Sequence, residues 1–309
     1  MAIGLANNMI WLVGCNGMLG TEVSLQLTEK KIDFIATGHE VDITDFSAVV
    51  SFAMEKIGKN IDFIINCAAY TNVDKAESEP DLAKIVNEKG AENLARFANK
   101  IHATLIHIST DYVFDGSGNL TLTEDALIAP IGVYGKTKAD GEIAVQKQLV
   151  EHYIIRTAWL YGWAGKNFVY TMIRAMNSRD SINVVNDQKG SPTFAGDLAD
   201  VILKIIEAAR NSKKIPYGIY HYTDLGEISW YDFACEIKKQ GMKLGLIKNQ
   251  KCDIIPCITE EYLTPAKRPE YSVLSKEKIQ KALSIEIPVW QESLREFLSS
   301  PFFDKSRIK

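Results

Sequence analysis

A tyrosine and a lysine four residues apart, Tyr134 and Lys138, have the spacing and the chemistry of a proton-transfer pair. Lys138 lies in a segment, Lys136–Leu149, whose pattern predicts a helix, and Tyr134 lies two residues before it. Residues four apart share one helix face. A phenol has a pKa of about 10, and a neighbouring ammonium favours its charged form. We therefore expect Lys138 to lower the pKa of Tyr134 and so make it an acid–base group at neutral pH.

Two hydroxyl residues, Ser109 and Thr110, follow the apolar run Leu105–Ile108, which predicts a strand. In an open α/β sheet, ligands bind at the carboxyl ends of the strands. A hydroxyl at that edge can hydrogen-bond to the carbonyl oxygen that Tyr134 would protonate. The alternative is that Ser109 and Thr110 only cap the start of a loop.

A glycine-rich turn with the spacing GxxGxxG lies between a predicted strand, Met9–Val13, and a predicted helix, Gly17–Glu29. Glycines let the backbone approach a pyrophosphate, and a helix N-terminus offers free N–H groups and a partial positive charge. The sequence therefore predicts a dinucleotide site built from the turn residues Gly14, Asn16, Gly17, Met18, Leu19 and Gly20.

The choice between NADH and NADPH is less clear in the sequence. Thr37-Gly38-His39 stands where an acidic residue typically binds the ribose of NAD, and the glycine turn contains no arginine. With Glu40 and Asp42 close by, this pattern favours NADPH or the use of both cofactors. Asp42 and Ile43 can border the adenine, or Asp42–Asp45 can cap a helix.

The elements that must position these residues alternate between strand and helix, which is typical of an α/β fold with a Rossmann-type, doubly wound parallel sheet. The remaining strands are predicted at Asp33–Thr37, Asp62–Asn66, Thr104–Ser109 and Tyr153–Thr157, and the remaining helices at Phe46–Ile57 and Asp81–Lys100. After residue 158 the order is less regular, but a helix at Gly196–Ala209 and a strand at Ile219–Tyr222 can extend the sheet. We expect a dinucleotide-binding domain over 1–158, with 195–224 returning to it, and a smaller, interleaved C-terminal α/β substrate domain over 159–194 and 225–309.

Composition excludes several classes of protein. The formal net charge of the 309 residues is -4 and basic residues do not cluster, so no nucleic-acid partner is expected. No apolar stretch approaches the roughly 20 residues that cross a bilayer, so no membrane partner is expected. Five cysteines, an odd number without a CxxC pair, indicate reduced thiols and a cytoplasmic location.

Several motifs together resemble the extended short-chain dehydrogenase/reductase superfamily over nearly the whole chain. The GxxGxxG spacing, with Asn16 where the commoner GxGxxG has glycine, is typical of that superfamily. The resemblance also rests on NCAAYT at 66–71 with VDKAE at 73–77, STDYVFDG at 109–116, YGKTKADGE at 134–142, RTAWLYG at 156–162, DQKGSPT at 187–193 and RPEYSVLS at 268–275.

The resemblance implies an NADPH- or NADH-dependent reduction of the C4 ketone of a nucleotide-activated 6-deoxyhexulose, without a metal. It implies that Thr110, Tyr134 and Lys138 are catalytic. Ala68, Ala69 and Tyr70 would lie along the cofactor, together with Tyr134 and Lys138. The nucleotide-sugar substrate would be bordered by Asp111, Tyr112 and Trp159 and its diphosphate met by Arg268, although a core position for Trp159 and a structural ion pair for Arg268 are alternatives.

Two other functions stay open at this point. An epimerase or dehydratase acting on another nucleotide sugar uses the same Tyr and Lys, and Asp111 follows Thr110 as a dehydratase would require. A non-catalytic regulatory subunit, similar to the β subunit of methionine adenosyltransferase, is the alternative outside enzymes. A homodimer is compatible with each function.

Overall fold

A six-stranded parallel sheet is the framework of the computed structural model, which describes residues 9–57, 61–211 and 215–308. The strands of the described residues are β1 (Met9–Val13), β2 (Phe34–Thr37), β3 (Ile61–Asn66), β4 (Thr104–Thr110), β5 (His152–Thr157), β6 (Leu160–Tyr161), β7 (Ser181–Val185), β8 (Lys189–Gly190), β9 (Thr193–Phe194), β10 (Gly218–His221), β11 (Ile228–Ser229) and β12 (Asp253–Cys257). The large sheet has the order β10-β5-β4-β3-β1-β2. Because the winding reverses between β1 and β3, a crevice opens at their carboxyl ends.

Eleven α-helices of the described residues surround the sheet and build the second part of the molecule. They are α1 (Met18–Glu29), α2 (Phe46–Phe52), α3 (Val73–Ala76), α4 (Pro80–Lys84), α5 (Ala91–Ile101), α6 (Val133–Gln148), α7 (Phe168–Ser178), α8 (Ala195–Arg210), α9 (Trp230–Lys243), α10 (Glu277–Leu283) and α11 (Trp290–Ser299). None of the helices described combines the length and the apolar character needed to span a membrane.

Both faces of the large sheet are covered, which explains why most residues of its strands are apolar. In β1, Ile10 and Leu12 belong to the core shared with α1 and α8, whereas Trp11 and Val13 belong to the core on the opposite face. All four side chains are fully buried. The predicted fold class, an α/β fold with a Rossmann-type doubly wound sheet, is confirmed.

The predicted strands of the first half are all present, each within one residue of its predicted ends. The predicted helix Gly196–Ala209 is α8, and the predicted strand Ile219–Tyr222 is β10, which pairs in parallel with β5 at the edge of the large sheet. Helix α6 begins three residues earlier than predicted, so Tyr134 lies in its first turn.

Two predicted helices are interrupted. Phe46–Ile57 consists of α2 followed by a π-helical segment at Ala53–Ile57, and Asp81–Lys100 contains another π-helical segment, Ile85–Gly90, between α4 and α5. This second segment carries Asn87, which is 1% exposed and hydrogen-bonds to both backbone polar groups of Tyr70. The π-helical turn thus carries the residue whose side chain hydrogen-bonds to the segment after β3.

A second hydrophobic core lies among α7, α9, α11 and the short strands β6, β7 and β9. Its centre is aromatic: the ring of Tyr161 contacts those of Phe194, Phe233 and Phe297. Trp159, on the segment between β5 and β6, packs against this core. Because Trp159 also follows the carboxyl end of β5, the second core borders the crevice of the large sheet.

Candidate active site

The glycine turn after β1 brings two strands and a helix into close contact. Gly14 has a φ of +82°, and a Cβ atom there would lie 2.5 Å from the backbone nitrogen of Ala68. A Cβ atom on Gly20 would lie 2.2 Å from the carbonyl oxygen of Gly14. Gly17 precedes α1 and no side chain caps the helix there. The first N–H groups of α1 are therefore available for a phosphate, and the small residues let a dinucleotide approach.

A cavity of about 720 Å³ runs from this turn along the carboxyl ends of β1, β3, β4 and β5. Fifteen of the predicted site residues line it: Gly14, Asn16, Gly17, Met18, Leu19, Asp42, Ile43, Ala68, Ala69, Thr110, Asp111, Tyr112, Tyr134, Lys138 and Trp159. Three predicted residues, Gly20, Tyr70 and Arg268, do not line it. The cavity has the size of a small-molecule site, and its glycine cradle fits a dinucleotide.

Thr110 and Tyr134 meet at the middle of this cavity. Thr110 lies within hydrogen-bonding reach of the Tyr134 phenol, and the ring of Tyr134 packs edge-on against that of Tyr112, with centroids 5.4 Å apart. Burial raises the pKa of Tyr134 to about 12, although the bond with Thr110 acts in the opposite direction. Tyr134 is therefore a neutral phenol at pH 7 and can act as a proton donor.

Lys138 lies on the same face of α6, but its charge is directed elsewhere. Its Nζ donates to the carbonyl oxygen of Ile108 at 2.7 Å and lies 3.5 Å from Nε2 of His107. Burial lowers the pKa of Lys138 to about 8, opposed by the charge of Glu142. The expectation that Lys138 lowers the pKa of Tyr134 is wrong here: desolvation dominates at the phenol, and its pKa rises.

Asp111 is 2% exposed and lies directly beside Thr110, whose hydroxyl donates to Oδ1 of Asp111 at 3.0 Å. Burial raises the pKa of Asp111 to about 6, and hydrogen bonds from Ser272 and Thr110 oppose this rise. Burial also raises the pKa of Tyr112. Both side chains line the cavity.

Asp42 and Ile43 line the far end of the cavity beyond the glycine turn. Oδ1 of Asp42 accepts hydrogen bonds from the backbone and the hydroxyl of Thr44, whereas Asp45 is the residue that caps α2, accepting from the backbone of Ser47. The helix cap and the cavity wall are therefore formed by different residues of this short segment.

The three predicted residues outside the cavity wall have other contacts. Gly20 packs against Gly14, as described above. Tyr70 donates from its hydroxyl to Glu79 at 2.7 Å. Arg268 forms an ion pair with Asp74 of α3, in which Nη2 donates to both carboxylate oxygens at 3.0 and 3.1 Å. The structural ion pair considered as the alternative role of Arg268 is thus present. It links the chain near residue 268 to α3.

Trp159 has an unusual backbone with a φ of +48° and stacks on Trp230 of α9, with ring centroids 3.6 Å apart. Its ring also covers Gly190, where a Cβ atom would lie 2.6 Å from Cε2 of Trp159. A non-glycine residue with a positive φ costs about 1 to 2 kcal/mol. The contacts of the Trp159 ring must therefore offset this cost and hold the backbone in that conformation.

Sequence reasoning missed several residues at this site. His39, Cys67 and Lys166 line the cavity, and Trp230 supports Trp159. Their positions depend on how the second core packs against the sheet, which no spacing in the sequence reveals. Within the residues that the structure describes, no group of three or more His, Cys, Asp or Glu is arranged to hold a metal.

A doubly wound sheet with a glycine turn, and with Thr, Tyr and Lys side chains along its crevice, defines a dinucleotide-binding protein of the short-chain dehydrogenase/reductase type. The family model of the RmlD substrate binding domain matches residues 8–301, so this chain belongs to that family. The resemblance predicted from the motifs is confirmed.

Known relatives are similar to this chain over nearly its whole length. A dTDP-4-dehydrorhamnose reductase of Escherichia coli K12 is 38% identical over 295 residues, which is 95% of this chain and 98% of the relative. A solved structure of a dTDP-4-dehydrorhamnose reductase from Clostridium acetobutylicum is 43% identical, with a TM-score of 0.86 and coverage of 94% and 98%. One from Bacillus anthracis, solved in complex with NADP, is 37% identical, with a TM-score of 0.85 and the same coverage.

Proposed function

We propose that this chain is an NADPH- or NADH-dependent oxidoreductase that reduces the C4 ketone of dTDP-4-dehydro-L-rhamnose to give dTDP-L-rhamnose. The observation that carries the proposal is the meeting of Thr110, Tyr134 and Lys138 along one cavity that also contains the glycine turn. Relatives named as this reductase, at 37–41% identity, support the substrate, and the NADP complex of one of them supports the cofactor.

The residues of this chain that would hold the cofactor lie along the carboxyl ends of β1 and β3. The N-terminus of α1 would hold the pyrophosphate, Ala68 and Ala69 would leave room for the ring system, and Asp42 and Ile43 would border the adenine. When bound, the reduced nicotinamide would supply the hydride. Lys138 would hold the nicotinamide ribose through its ammonium group.

Tyr134 is the proton donor. Its phenol, neutral because of the raised pKa, gives its proton to the carbonyl oxygen of the sugar as that oxygen becomes an alkoxide. Thr110 donates to the same oxygen, turning its hydroxyl from Asp111 towards the substrate. Asp111, Tyr112 and Trp159 border the sugar, and Arg268 exchanges Asp74 for the substrate diphosphate.

The chain divides by function as its cores suggest. Residues 1–158 with 195–224 bind the dinucleotide, and 159–194 with 225–309 bind the nucleotide sugar. Support comes from α8 and β10, which share the core and the sheet of the first part, and from the separate aromatic core of the second. A homodimer in the cytoplasm completes the proposal; all five cysteines are free thiols, which suits a reducing compartment.

The test is to follow the absorbance of NADPH and of NADH with dTDP-4-dehydro-L-rhamnose and to identify the product by NMR. We expect oxidation of the cofactor at a one-to-one ratio with dTDP-L-rhamnose. The Tyr134→Phe variant is the control for background oxidation. If the chain binds the cofactor but does not turn over this sugar, dTDP-4-dehydro-L-rhamnose is not its substrate. Absence of cofactor binding would favour the regulatory-subunit alternative.

A further inference from the structure

Glu142 is a fully buried carboxylate behind the cavity wall. It lies on α6 four residues after Lys138 and eight after Tyr134, so the three side chains follow one face of the helix. Its exposed fraction is 0%. A carboxylate at such a position needs charged and hydrogen-bonding partners, because burial alone would favour its neutral form.

The first partner of Glu142 is Arg156 of β5, itself 0% exposed. Nε of Arg156 donates to Oε1 at 2.9 Å, and Nη2 donates to Oε2 at 2.7 Å. Arg156 pairs with Ser109 in the register of β4 and β5, and the next pair of that register is Thr157 with Thr110. The ion pair therefore joins α6 to the sheet one residue before Thr110.

The second partner is Ser109, whose hydroxyl donates to Oε1 of Glu142 at 2.5 Å. Ser109 is 3% exposed and precedes Thr110 at the end of β4. One carboxylate thus holds the strand end that carries Thr110 and belongs to the helix that carries Tyr134 and Lys138. A shift of about 1 Å between such elements can cost about a hundredfold in rate.

Glu142 also sets the charge around Lys138. The groups that face this ammonium are His107 from β4, Cys67 after β3 and Glu142 on its own helix. Burial keeps His107 and Cys67 neutral: it lowers the pKa of His107 well below its usual value and raises that of Cys67 to about 12. Glu142 is left as the anion that favours the protonated Lys138.

We propose that Glu142 is a positioning residue of this site: it ties the strand end that carries Thr110 to the face of α6 that carries Tyr134 and Lys138, and it places a negative charge one helical turn from Lys138. The inference rests on the proposed reductase function for its consequence in catalysis. Its structural and electrostatic part concerns only side chains of this chain and is measurable without cofactor or sugar.

The experiment is an NMR titration of Lys138 in the full chain labelled with ¹⁵N-lysine, with Lys138→Met to assign the signal. Glu142→Gln keeps the shape of the side chain and removes its charge. We expect the midpoint of the Lys138 titration to move towards acid by on the order of one pH unit. Glu142→Asp, which keeps the charge, restores the midpoint, and Asp140→Asn, which removes a charge from the same helix, leaves it unchanged.

Glu142→Gln leaves Arg156 without its anion and can impair folding, so the double variant Glu142→Gln/Arg156→Met provides a neutral replacement for the pair. It should still show an acid shift, smaller than that of Glu142→Gln because the nearby cation of Arg156 is removed together with the anion. Ser109→Ala removes only the tie to β4: it should lower kcat about tenfold and leave the Lys138 midpoint in place. The electrostatic role of Glu142 is overturned by an unchanged Lys138 midpoint in folded Glu142→Gln. It is also overturned if Glu142→Asp shows the same acid shift as Glu142→Gln. Full kcat in Ser109→Ala overturns the proposed tie between Glu142 and β4. None of these titration results depends on whether dTDP-4-dehydro-L-rhamnose is the substrate.

Discussion

Nζ of Lys138 donates a 2.7 Å hydrogen bond to the backbone carbonyl oxygen of Ile108. Ile108 lies two residues before Thr110 on β4, so this bond fixes the ammonium beside the strand end that carries the proposed catalytic hydroxyl. The bond also partly offsets the cost of burying a charge, since Lys138 is only 1% exposed. Position and charge of Lys138 are therefore coupled, and both are open to measurement.

The rate of reduction should fall as the pH rises through about 8. Lys138 has a pKa of about 8 and is charged below it, whereas Tyr134, with a pKa of about 12, keeps its proton throughout this range. Loss of the ammonium charge removes the group that holds the nicotinamide ribose. The measurement is kcat and kcat/KM between about pH 6 and about pH 10. A rate that stays level to pH 10 would exclude Lys138 as the titrating group.

Replacing Lys138 by Met should abolish turnover and yet stabilise the fold at neutral pH. The pKa of Lys138 falls from 10.5 to about 8 on folding, so the folded state disfavours the charged form. The free-energy cost of burying the charged lysine is fully present below about pH 8. It disappears as the pH rises from about 8 to above 10.5, where Lys138 is neutral in both the folded and the unfolded state.

We expect Lys138→Met to gain about 2 kcal/mol in the free energy of unfolding near pH 7, after allowing for the lost bond to Ile108. Near pH 10 the gain should largely vanish. Urea unfolding at both pH values measures the difference. A variant that is less stable than the wild type at neutral pH would show that the bond outweighs the desolvation of the ammonium.

Tyr134→Phe should leave cofactor affinity nearly unchanged and lower kcat by about a thousandfold. The substitution removes the proton donor and keeps the ring that packs against Tyr112. Cofactor titration by fluorescence separates binding from turnover. Full activity in this variant would remove Tyr134 from the mechanism.

The first half of the fold was predictable because its strands and helices carry their own signals. Both faces of β1 are buried, so the run from Ile10 to Val13 is apolar throughout, and the glycine turn follows at once. The meeting of Thr110 with Tyr134 was also predictable, because Thr110 ends β4 and the helix that follows a strand of a parallel sheet begins at the same edge.

What the sequence could not give depends on packing between distant segments. The pKa of Tyr134 is decided by burial, which the spacing YxxxK does not report. The ion pair between Arg268 and Asp74 joins residues 194 positions apart, and the stacking of Trp230 on Trp159 joins α9 to the end of β5. Neither of these residue pairs is indicated by a local sequence pattern. Each arises from the way the second hydrophobic core packs beside the crevice of the large sheet.

The strand-end pattern as a whole favours NADPH or the use of both cofactors, but the charge of Glu40 by itself should reduce the affinity for NADPH relative to NADH. Its carboxylate accepts a 2.7 Å hydrogen bond from the backbone of Gly38 at the end of β2. Burial and, after it, the charge of Glu40 raise the pKa of Cys15 in the glycine turn. This edge of β2 is where the 2′-position of the adenosine ribose binds in such folds. A negative charge there opposes a 2′-phosphate.

We expect Glu40→Arg to raise the ratio of NADPH to NADH affinity by about tenfold or more, with Glu29→Arg at the far end of α1 as the charge-matched control. Dissociation constants for both cofactors, measured by fluorescence at two salt concentrations, check this expectation. The effect should weaken at high salt because Glu40 is exposed. An unchanged ratio in Glu40→Arg would place the 2′-position elsewhere.

Gly190 should set the affinity for the sugar through Trp159. The ring of Trp159 lies over Gly190 and stacks on Trp230, so an added Cβ atom, 2.6 Å from Cε2, would force the ring to move. Gly190 is not among the glycines with positive φ, so its backbone can accept alanine and the contact with the ring is the whole effect.

We expect both Gly190→Ala and Trp159→Ala to raise KM for the nucleotide sugar about tenfold, equal to about 1.4 kcal/mol, and to leave the dissociation constant of the cofactor unchanged. Trp230→Leu keeps an apolar contact and should give a smaller rise, because it removes the stacking partner and leaves the Trp159 ring in place. Steady-state kinetics with varied sugar, together with thermal unfolding of each variant, separates a binding effect from a loss of stability. If all three variants lose stability while KM stays at the wild-type value, Trp159 belongs to the aromatic core and the sugar is bound by other residues of the cavity.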